Sequence, residues 1–440
     1  MYSVINDHFI FLLLWFFVFF YFVCWFVYIM IKRKMVTVLS TTIIMNIFIP
    51  LVLMYPFALS PKNIPATGYT WYLRYLNYID KAFIISLIGI LGFIIGCLVA
   101  RSKQADNFPV LNSVSQSFKF LSKTSSLLVL SLFLIGLFFL MYKLGYFAQG
   151  NTARAYAMAN PAVRPIANLF LALLPLFVSL SLFVFHTKRS ILAIFFILIG
   201  ILLGLTSGTR AATLGGILLF IYAKFNFQSK KRSNLLKIVF LGFVLLFLAI
   251  YIGDLREHQY NPFVTIDKLY NKLFYGNNFS DLRDFAWVLS GWDESYLYGR
   301  TQLAGLLSFI PSSIFSFREE WGLGVFTTRV LGFDHSIHPG LRPGIFGEPY
   351  FNFGYIGVMF FGFLYGYIIY KIHLFAQKSL VLEDKYQSMN NILSSYVTAH
   401  LSINFMITAG FFSVYVVGGI ILIGVVLTRF RLYRYSSPYF

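Results

Sequence analysis

Three arginines, two histidines and a lone downstream glutamate crowd one stretch late in the chain. It reads Arg318-Glu319-Glu320-Trp321, then Arg329, then Asp334-His335-Ser336-Ile337-His338-Pro339-Gly340-Leu341-Arg342-Pro343-Gly344. Gly347-Glu348-Pro349-Tyr350-Phe351-Asn352-Phe353-Gly354 follows and leads into an apolar run. Planar guanidinium forks bind phosphate bidentately, and a carboxylate or histidine beside them can serve as general base. Prolines and glycines fix the backbone around such groups. The mixture suits holding a phosphorylated lipid while moving a proton. Glu348 and His338 are the candidate bases, Arg342 and Arg329 the candidate phosphate ligands. Arg318, Tyr350 and Asn352 are candidate substrate contacts. Plainer roles stand beside these. Glu348 at a helix mouth would also complement the helix dipole, and His338, one residue before a proline, would also serve as a packed turn residue.

A second stretch carries a charge where charge is expensive. Leu205-Thr-Ser-Gly-Thr-Arg-Ala-Ala-Thr-Leu-Gly-Gly216 lies between two short apolar runs, with Arg210 at its centre. An arginine at mid-membrane costs about 2.5–3.5 kcal/mol on insertion scales, so such residues usually face a polar cavity or an anion. Arg210 therefore joins the candidate phosphate ligands. Arg256, early in the long segment that ends in the first stretch, is another. Arg154, in the small-residue segment Gly145–Pro165, is a candidate substrate contact.

The elements that must position these residues are membrane helices. Of 440 residues, 58% are hydrophobic, 20% aromatic and 12% charged, against about 25% charged in a soluble domain. The apolar runs are continuous and about 20 residues long, which indicates helices rather than the alternating ~10-residue segments of a barrel. Expected spans are 9–31, 35–57, 81–100, 126–144, 166–186, 191–205, 211–223, 238–253, 352–372, 392–410 and 411–428. The fold class is thus all-α and polytopic, about 11 transmembrane helices (10–12) in one transmembrane domain, 1–440. Its large extracytoplasmic loop, 254–351, contains an interfacial or re-entrant helix at 303–315.

The net charge of +19 belongs to topology rather than to nucleic acid. With these spans the inner side holds 20 Lys and Arg against three acids, and the outer side fifteen against thirteen. The first run begins at Phe9 after Asp7, too long for a signal-peptide core, and reads as a retained anchor. Cys24 and Cys97 fall inside apolar runs, which argues for packing rather than disulfides or metal. There is no Walker motif, dinucleotide fingerprint, HExxH or CxxC. The acidic pairs Asp293-Glu294 and Glu319-Glu320 are weak candidates for a divalent ion. An energy-independent enzyme using an already activated lipid substrate fits these absences, with no metal and no cofactor.

The Ser207-Gly-Thr-Arg-Ala211 hairpin, the long late loop and the Gly347–Gly354 entry to the next span resemble bacterial O-antigen polymerases, the Wzy-type oligosaccharide repeat-unit polymerases. That family's Arg-x10-Gly pattern has a match at Arg329 and Gly340. The earlier loop departs from it, with Pro165 following Arg154 and Pro175 following Arg164 at that offset. The resemblance implies a GT-C-like membrane glycosyltransferase, metal-independent, in the bacterial cytoplasmic (inner) membrane with its site on the periplasmic or outer face. Its substrate would be an undecaprenyl-pyrophosphate-linked oligosaccharide. The growing glycan would move to the non-reducing end of the next lipid-linked repeat unit. Membrane lipid and a chain-length regulator are the other partners it points to. Two other readings share the many-span plan: an O-antigen ligase or cell-wall polymerase, and a lipid-linked sugar flippase or transporter. Charges gathered at the outer face rather than spread through the spans argue against transport.

Overall fold

The computed structural model describes residues 7–33, 37–102, 109–146, 163–206, 210–228, 240, 244, 266–277, 279–310, 314–335, 338, 340–381, 385–407 and 410–436. Among these the chain is helical, with no strand. In order, the helices are α1 (Phe9–Arg33), α2 (Val38–Leu53), α3 (Tyr69–Ser102), α4 (Pro109–Leu121), α5 (Thr124–Lys143), α6 (Val163–Lys188), α7 (Ile191–Thr206) and α8 (Arg210–Gln228). Then come α9 (Ile266–Phe274), α10 (Asp281–Gly291), α11 (Arg300–Leu306), α12 (Phe317–Trp321), α13 (Leu323–Leu331), α14 (Gly344–Ser379), α15 (Lys385–Phe405) and α16 (Phe411–Ser436). Among the described residues, six helices are long and apolar enough to cross a membrane: α1, α3, α5, α6, α14 and α16. The shorter apolar helices are α2, α7 and the Leu214–Phe227 part of α8. The expected span 238–253 lies outside the described residues apart from 240 and 244.

The chain divides into two compact units. The first comprises Met1–Gln104, Phe263–Lys371 and Ser402–Phe411. Its centre is the crossing of α3 and α14, built on glycine. A Cβ at Gly92 or Gly96 would collide with backbone of α14, and one at Gly362 or Gly366 with backbone of α3. Small residues let the two backbones approach this closely, and the Cys97 thiol donates to the Gly366 carbonyl at 3.4 Å. α1 and α2 are pinned at one end by polar contacts. Trp15 Nε1 donates to the Val52 carbonyl (2.7 Å), and Asp80 takes His8 Nδ1 (2.7 Å) and the Tyr55 hydroxyl (2.5 Å). Within α2 the backbone widens to i→i+5 bonding over Ile44–Leu53, around Pro50. A proline there removes an ordinary helix bond, so the wider turn fits it.

The second unit comprises Ala105–Pro262, Ile372–Leu401 and Phe412–Phe440. α6 is its hub. Gly216 of α8 lies against the Pro175–Ser179 stretch of α6, and Gly200 of α7 against Phe177 and Val178. α15, expected as an apolar span, instead buries polar side chains: Ser388, Asn390, Asn391, Ser394 and Ser395. Asn390 donates to the backbone and hydroxyl of Ser115 on α4, and Ser115 bonds Asn391. Asn226 donates to the Tyr396 hydroxyl, and Tyr222 stacks on the Tyr396 ring. Buried polar groups are costly in an apolar interior unless partnered, and these contacts partner the amide donors of Asn226 and Asn390 and the amide oxygen of Asn391 between α4, α8 and α15.

One boundary is corrected. The span expected to start at residue 352 belongs to a helix that starts eight residues earlier, at Gly344, and bends at Gly354 (φ 63°, ψ −151°). Glu348 and Tyr350, expected in the loop, therefore ride with Asn352 on the first turns of α14. The backbone carbonyls released at the bend are taken up elsewhere. Leu297 N–H donates to the Phe351 carbonyl (3.0 Å) and Tyr298 N–H to that of Asn352 (3.1 Å).

Candidate functional site

The site is built in the first unit, where α10 lies beside the opening turns of α14. Asp281 faces Gly344, Phe285 faces Gly347, and Phe285 and Trp292 pack on Tyr350 and Phe351. The contacts advance together along both helices, so α10 and the start of α14 run in the same direction. Their N-termini, each partially positive, therefore lie side by side.

α10 is anchored by a buried ion pair. Arg283 and Asp284 are 5% and 4% exposed and 3.2 Å apart. Ser280 Oγ donates to Asp284 Oδ2 at 2.8 Å. Arg283 spends its remaining donors on Asn63 Oδ1 (3.2 Å), Asn277 Oδ1 (2.9 Å) and the Tyr275 carbonyl (3.2 Å). Asn63 in turn donates to the carbonyls of Phe57 (2.9 Å) and Ser60 (3.0 Å). A buried charge pair is tolerable only when its other hydrogen bonds are met, and here one arginine ties residues 57–63 to the segment before α10.

Arg342 is exposed, and its Nη2 donates to the Asn277 carbonyl at 2.5 Å. Asp281 belongs to the same cluster. Its Cβ and Cγ lie 3.3 and 4.0 Å from where a Gly344 Cβ would stand. Burial pushes its carboxyl up to about 6, with Arg342 pulling the other way and Asp284 adding to the rise.

Glu348 follows Gly344 by one turn on the same face and is 1% exposed. Thr301 Oγ1 donates to Glu348 Oε1 (2.8 Å), and Asn352 Nδ2 donates to Thr301 Oγ1 (2.7 Å) and to the Glu348 carbonyl (2.9 Å). Asn352 is fully buried and its Oδ1 has no hydrogen-bond partner among the described residues. Tyr350 is 3% exposed and is packed within the aromatic cluster.

His338 belongs to a turn. Its Nδ1 accepts the Gly340 N–H at 3.1 Å, its backbone N–H donates to the Asp334 carbonyl, and its ring packs on Phe333. A neutral His338 accepting at Nδ1 carries its proton on Nε2, which makes that nitrogen a donor. Arg329 donates from Nη2 to the Glu320 carbonyl (2.7 Å), and with Arg300 it flanks the Trp321 ring at 5.6 and 4.3 Å. Arg318 Nη1 donates to the Ser308 carbonyl at 3.2 Å.

The structure thus gathers Arg342 and Glu348 at the start of α14, and sets Arg318 and Arg329 among the short helices α11–α13. Arg210 opens α8 in the second unit, and its side chain is outside the described ones. Arg154 and Arg256 lie outside the described residues. Of the two acidic pairs, Asp293-Glu294 is engaged: Asp293 accepts from Ser295, and Glu294 pairs with Lys81 at 2.8 Å. No cluster of three or more metal-ligating side chains occurs among the described residues. Sequence reasoning missed Asp281, Thr301 and the Asn277–Arg283 bracket. No local spacing marks Asp281 and Thr301, because their partners Arg342 and Glu348 lie 61 and 47 positions further along the chain. Asn277 and Arg283 are only six apart, but what they hold, Arg342 and Asn63, lies 65 and 220 positions away.

No curated protein and no solved structure matches the chain. A family model does. It covers residues 1–316, which include Arg210, Asp281, Arg283 and Thr301; Arg318, Arg329, His338, Arg342, Glu348, Tyr350 and Asn352 lie beyond it. With well over half of its length matched, the chain belongs to the O-antigen polysaccharide polymerase Wzy family, multi-pass membrane proteins of polysaccharide biosynthesis.

Proposed function

We propose that this polymerase transfers a growing glycan from undecaprenyl pyrophosphate to the non-reducing end of the next lipid-linked repeat unit. The work is done at the outer face of the cytoplasmic membrane, within an eleven-span, GT-C-like plan. The observation that carries the reading is Arg342. Its exposed guanidinium is tethered by Asn277 where two helix N-termini lie together, one turn before the buried Glu348. Departure of a pyrophosphate concentrates negative charge on its oxygens, and prealigned donors stabilise that charge. Helix N-termini add to the attraction for an anion.

The reaction proceeds without metal on this reading, since the guanidinium and the helix termini supply the positive field. The aromatic residues of the outer segment, Trp321 and Tyr296 among them, give the saccharide surfaces to lie on. A chain-length regulator would act from outside this cluster.

Purified protein incubated with lipid-linked repeat units alone tests the reading. A ladder of polymer is the expected product. A product that forms only when lipid A core or peptidoglycan precursor is added would replace this reading with a ligase or a cell-wall polymerase.

A further inference from the structure

We propose that Asp281, and not Glu348, takes the proton from the acceptor sugar hydroxyl in the glycosyl transfer. The inference rests on the polymerase reading and names a catalytic residue for it.

Position is the first reason. Asp281 opens α10 against Gly344, at the shared mouth of two parallel helices, in the cluster that holds Arg342 through Asn277. A carboxylate here lies next to the guanidinium that would carry the donor's pyrophosphate. Availability is the second. Asp281 is half-buried and forms no salt bridge and no side-chain hydrogen bond to another described residue. Its neighbour Asp284 is fully committed to Arg283 and Ser280. Glu348 is 1% exposed, and its Oε1 already accepts the Thr301 hydroxyl. Glu348 is better described as a positioning residue that sets the α11–α14 contact.

Tuning is the third reason, and it agrees with the geometry. Burial lifts the Asp281 carboxyl to about 6, which brings its basicity closer to that needed for proton abstraction near neutral pH. The charges acting on it are Arg342 and Asp284. The elements packed on α10 otherwise offer the phenols Tyr55, Tyr72 and Tyr75, uncharged in this range, and on α3 Arg74, which lies over Trp71, Asp80, held by His8 and Tyr55, and Lys81, paired with Glu294. They also offer Arg329, held by Glu320 and Trp321, and Glu348 on the α14 face.

The step balances as follows. The acceptor O–H bond breaks and its proton passes to the Asp281 carboxylate. The oxygen lone pair forms the new bond to the anomeric carbon. The bond from that carbon to the pyrophosphate oxygen breaks, and its electron pair leaves on undecaprenyl pyrophosphate, whose added charge faces Arg342. Asp281 then returns its proton to water.

The test compares wild type, Asp281→Asn and Asp281→Glu as purified full chains on lipid-linked repeat units. Turnover across pH 5–8, retention of the lipid-linked donor and thermal unfolding are all followed. The expected result is a fall in kcat of at least about 100-fold for Asp281→Asn, the usual scale of general-base loss. Donor retention and unfolding should stay close to wild type. Wild-type kcat/KM should climb with pH through about 6, a limb that Asp281→Asn lacks, and Asp281→Glu should restore part of the rate. Turnover within threefold of wild type in Asp281→Asn, or the same rising limb in that variant, overturns the proposal. So does a loss of donor retention or folding that matches the loss of rate and that Asp281→Glu shares. If wild type itself yields no ladder, the polymerase reading fails instead.

Discussion

Thr301 donates its hydroxyl to Glu348 Oε1 at 2.8 Å while accepting from Asn352 Nδ2 at 2.7 Å, so one buried hydroxyl links a carboxylate to an amide four residues further along α14. The hydroxyl gives in one direction and receives in the other. Neither Glu348 nor Asn352 can be swapped for an apolar residue without stranding the rest.

Thr301→Val should expose that dependence. The valine has nearly the same volume, but it takes the Thr301 bond away from both Glu348 Oε1 and Asn352 Nδ2 in a fully buried place, leaving Asn352 Nδ2 its bond to the Glu348 carbonyl. An unsatisfied buried group costs about 1–3 kcal/mol. Thermal unfolding in detergent should show the loss. Thr301→Ser, which keeps the hydroxyl, should recover most of it.

The Asp281 carboxyl gives stability a pH dependence of predictable sign. Its folded value, about 6, lies above the ordinary 3.8, so between these values the folded chain holds a proton that the unfolded chain has released. Stability therefore falls as pH rises from about 4 to about 6 and levels off beyond. The full two-unit difference would be worth about 3 kcal/mol, and partial exposure of the group reduces it to about 1–2 kcal/mol. Unfolding midpoints of wild type measured across pH 4–7 should show this decline. In Asp281→Asn the slope from this group should be absent, and an unchanged slope there would assign the effect to another carboxyl.

Gly92 and Gly136 offer a paired steric test of the α3–α14 crossing. A side chain at Gly92 would meet the Met359 carbonyl and Phe363 backbone, while nothing stands within 4 Å of a Cβ at Gly136 on α5. Gly92→Leu should destabilise by about 1–3 kcal/mol or more, since overpacking against backbone cannot relax by a rotamer change. Gly136→Ala should be neutral or slightly stabilising in mid-helix. Yield of folded protein and thermal unfolding, read side by side, check both.

Much of the helical plan was legible because burial in lipid leaves long apolar runs: α1, α3, α5, α6, α14 and α16 all sit on expected spans. The start of α14 was not legible. Gly344, Gly347 and Pro349 read as loop punctuation, yet Phe285 against Gly347 and the 297–298 backbone hold those turns helical up to the bend at Gly354. α15 was read as a lipid span from its apolar residues, while Asn390, Asn391 and Tyr396 face inward to partners on α4 and α8, and Ser394 and Ser395 turn back on the Asn391 carbonyl. At the site, Arg342 and Glu348 could be singled out from residue type and placement. Asp281 and Thr301 could not, because an aspartate after a serine and a threonine after an arginine carry no signal until α10 and α11 are laid against α14.

Arg342 should influence two measurable quantities that separate its roles. As a phosphate ligand, its guanidinium fork supplies paired donors that a lysine cannot reproduce. Arg342→Lys should therefore raise the KM for lipid-linked donor, and Arg342→Ala should raise it further. As the neighbour of Asp281, Arg342 also holds that carboxyl lower than burial alone would leave it. Removing the positive charge should let the Asp281 value climb above about 6. The rising limb of the rate profile in Arg342→Ala then moves to higher pH, while Arg342→Lys, which keeps the charge, stays near wild type. At saturating donor the alanine variant should lag most at pH 6 and close the gap toward pH 8. A uniform loss at every pH would mean that the arginine acts on the phosphate alone, without electrostatic contact to Asp281.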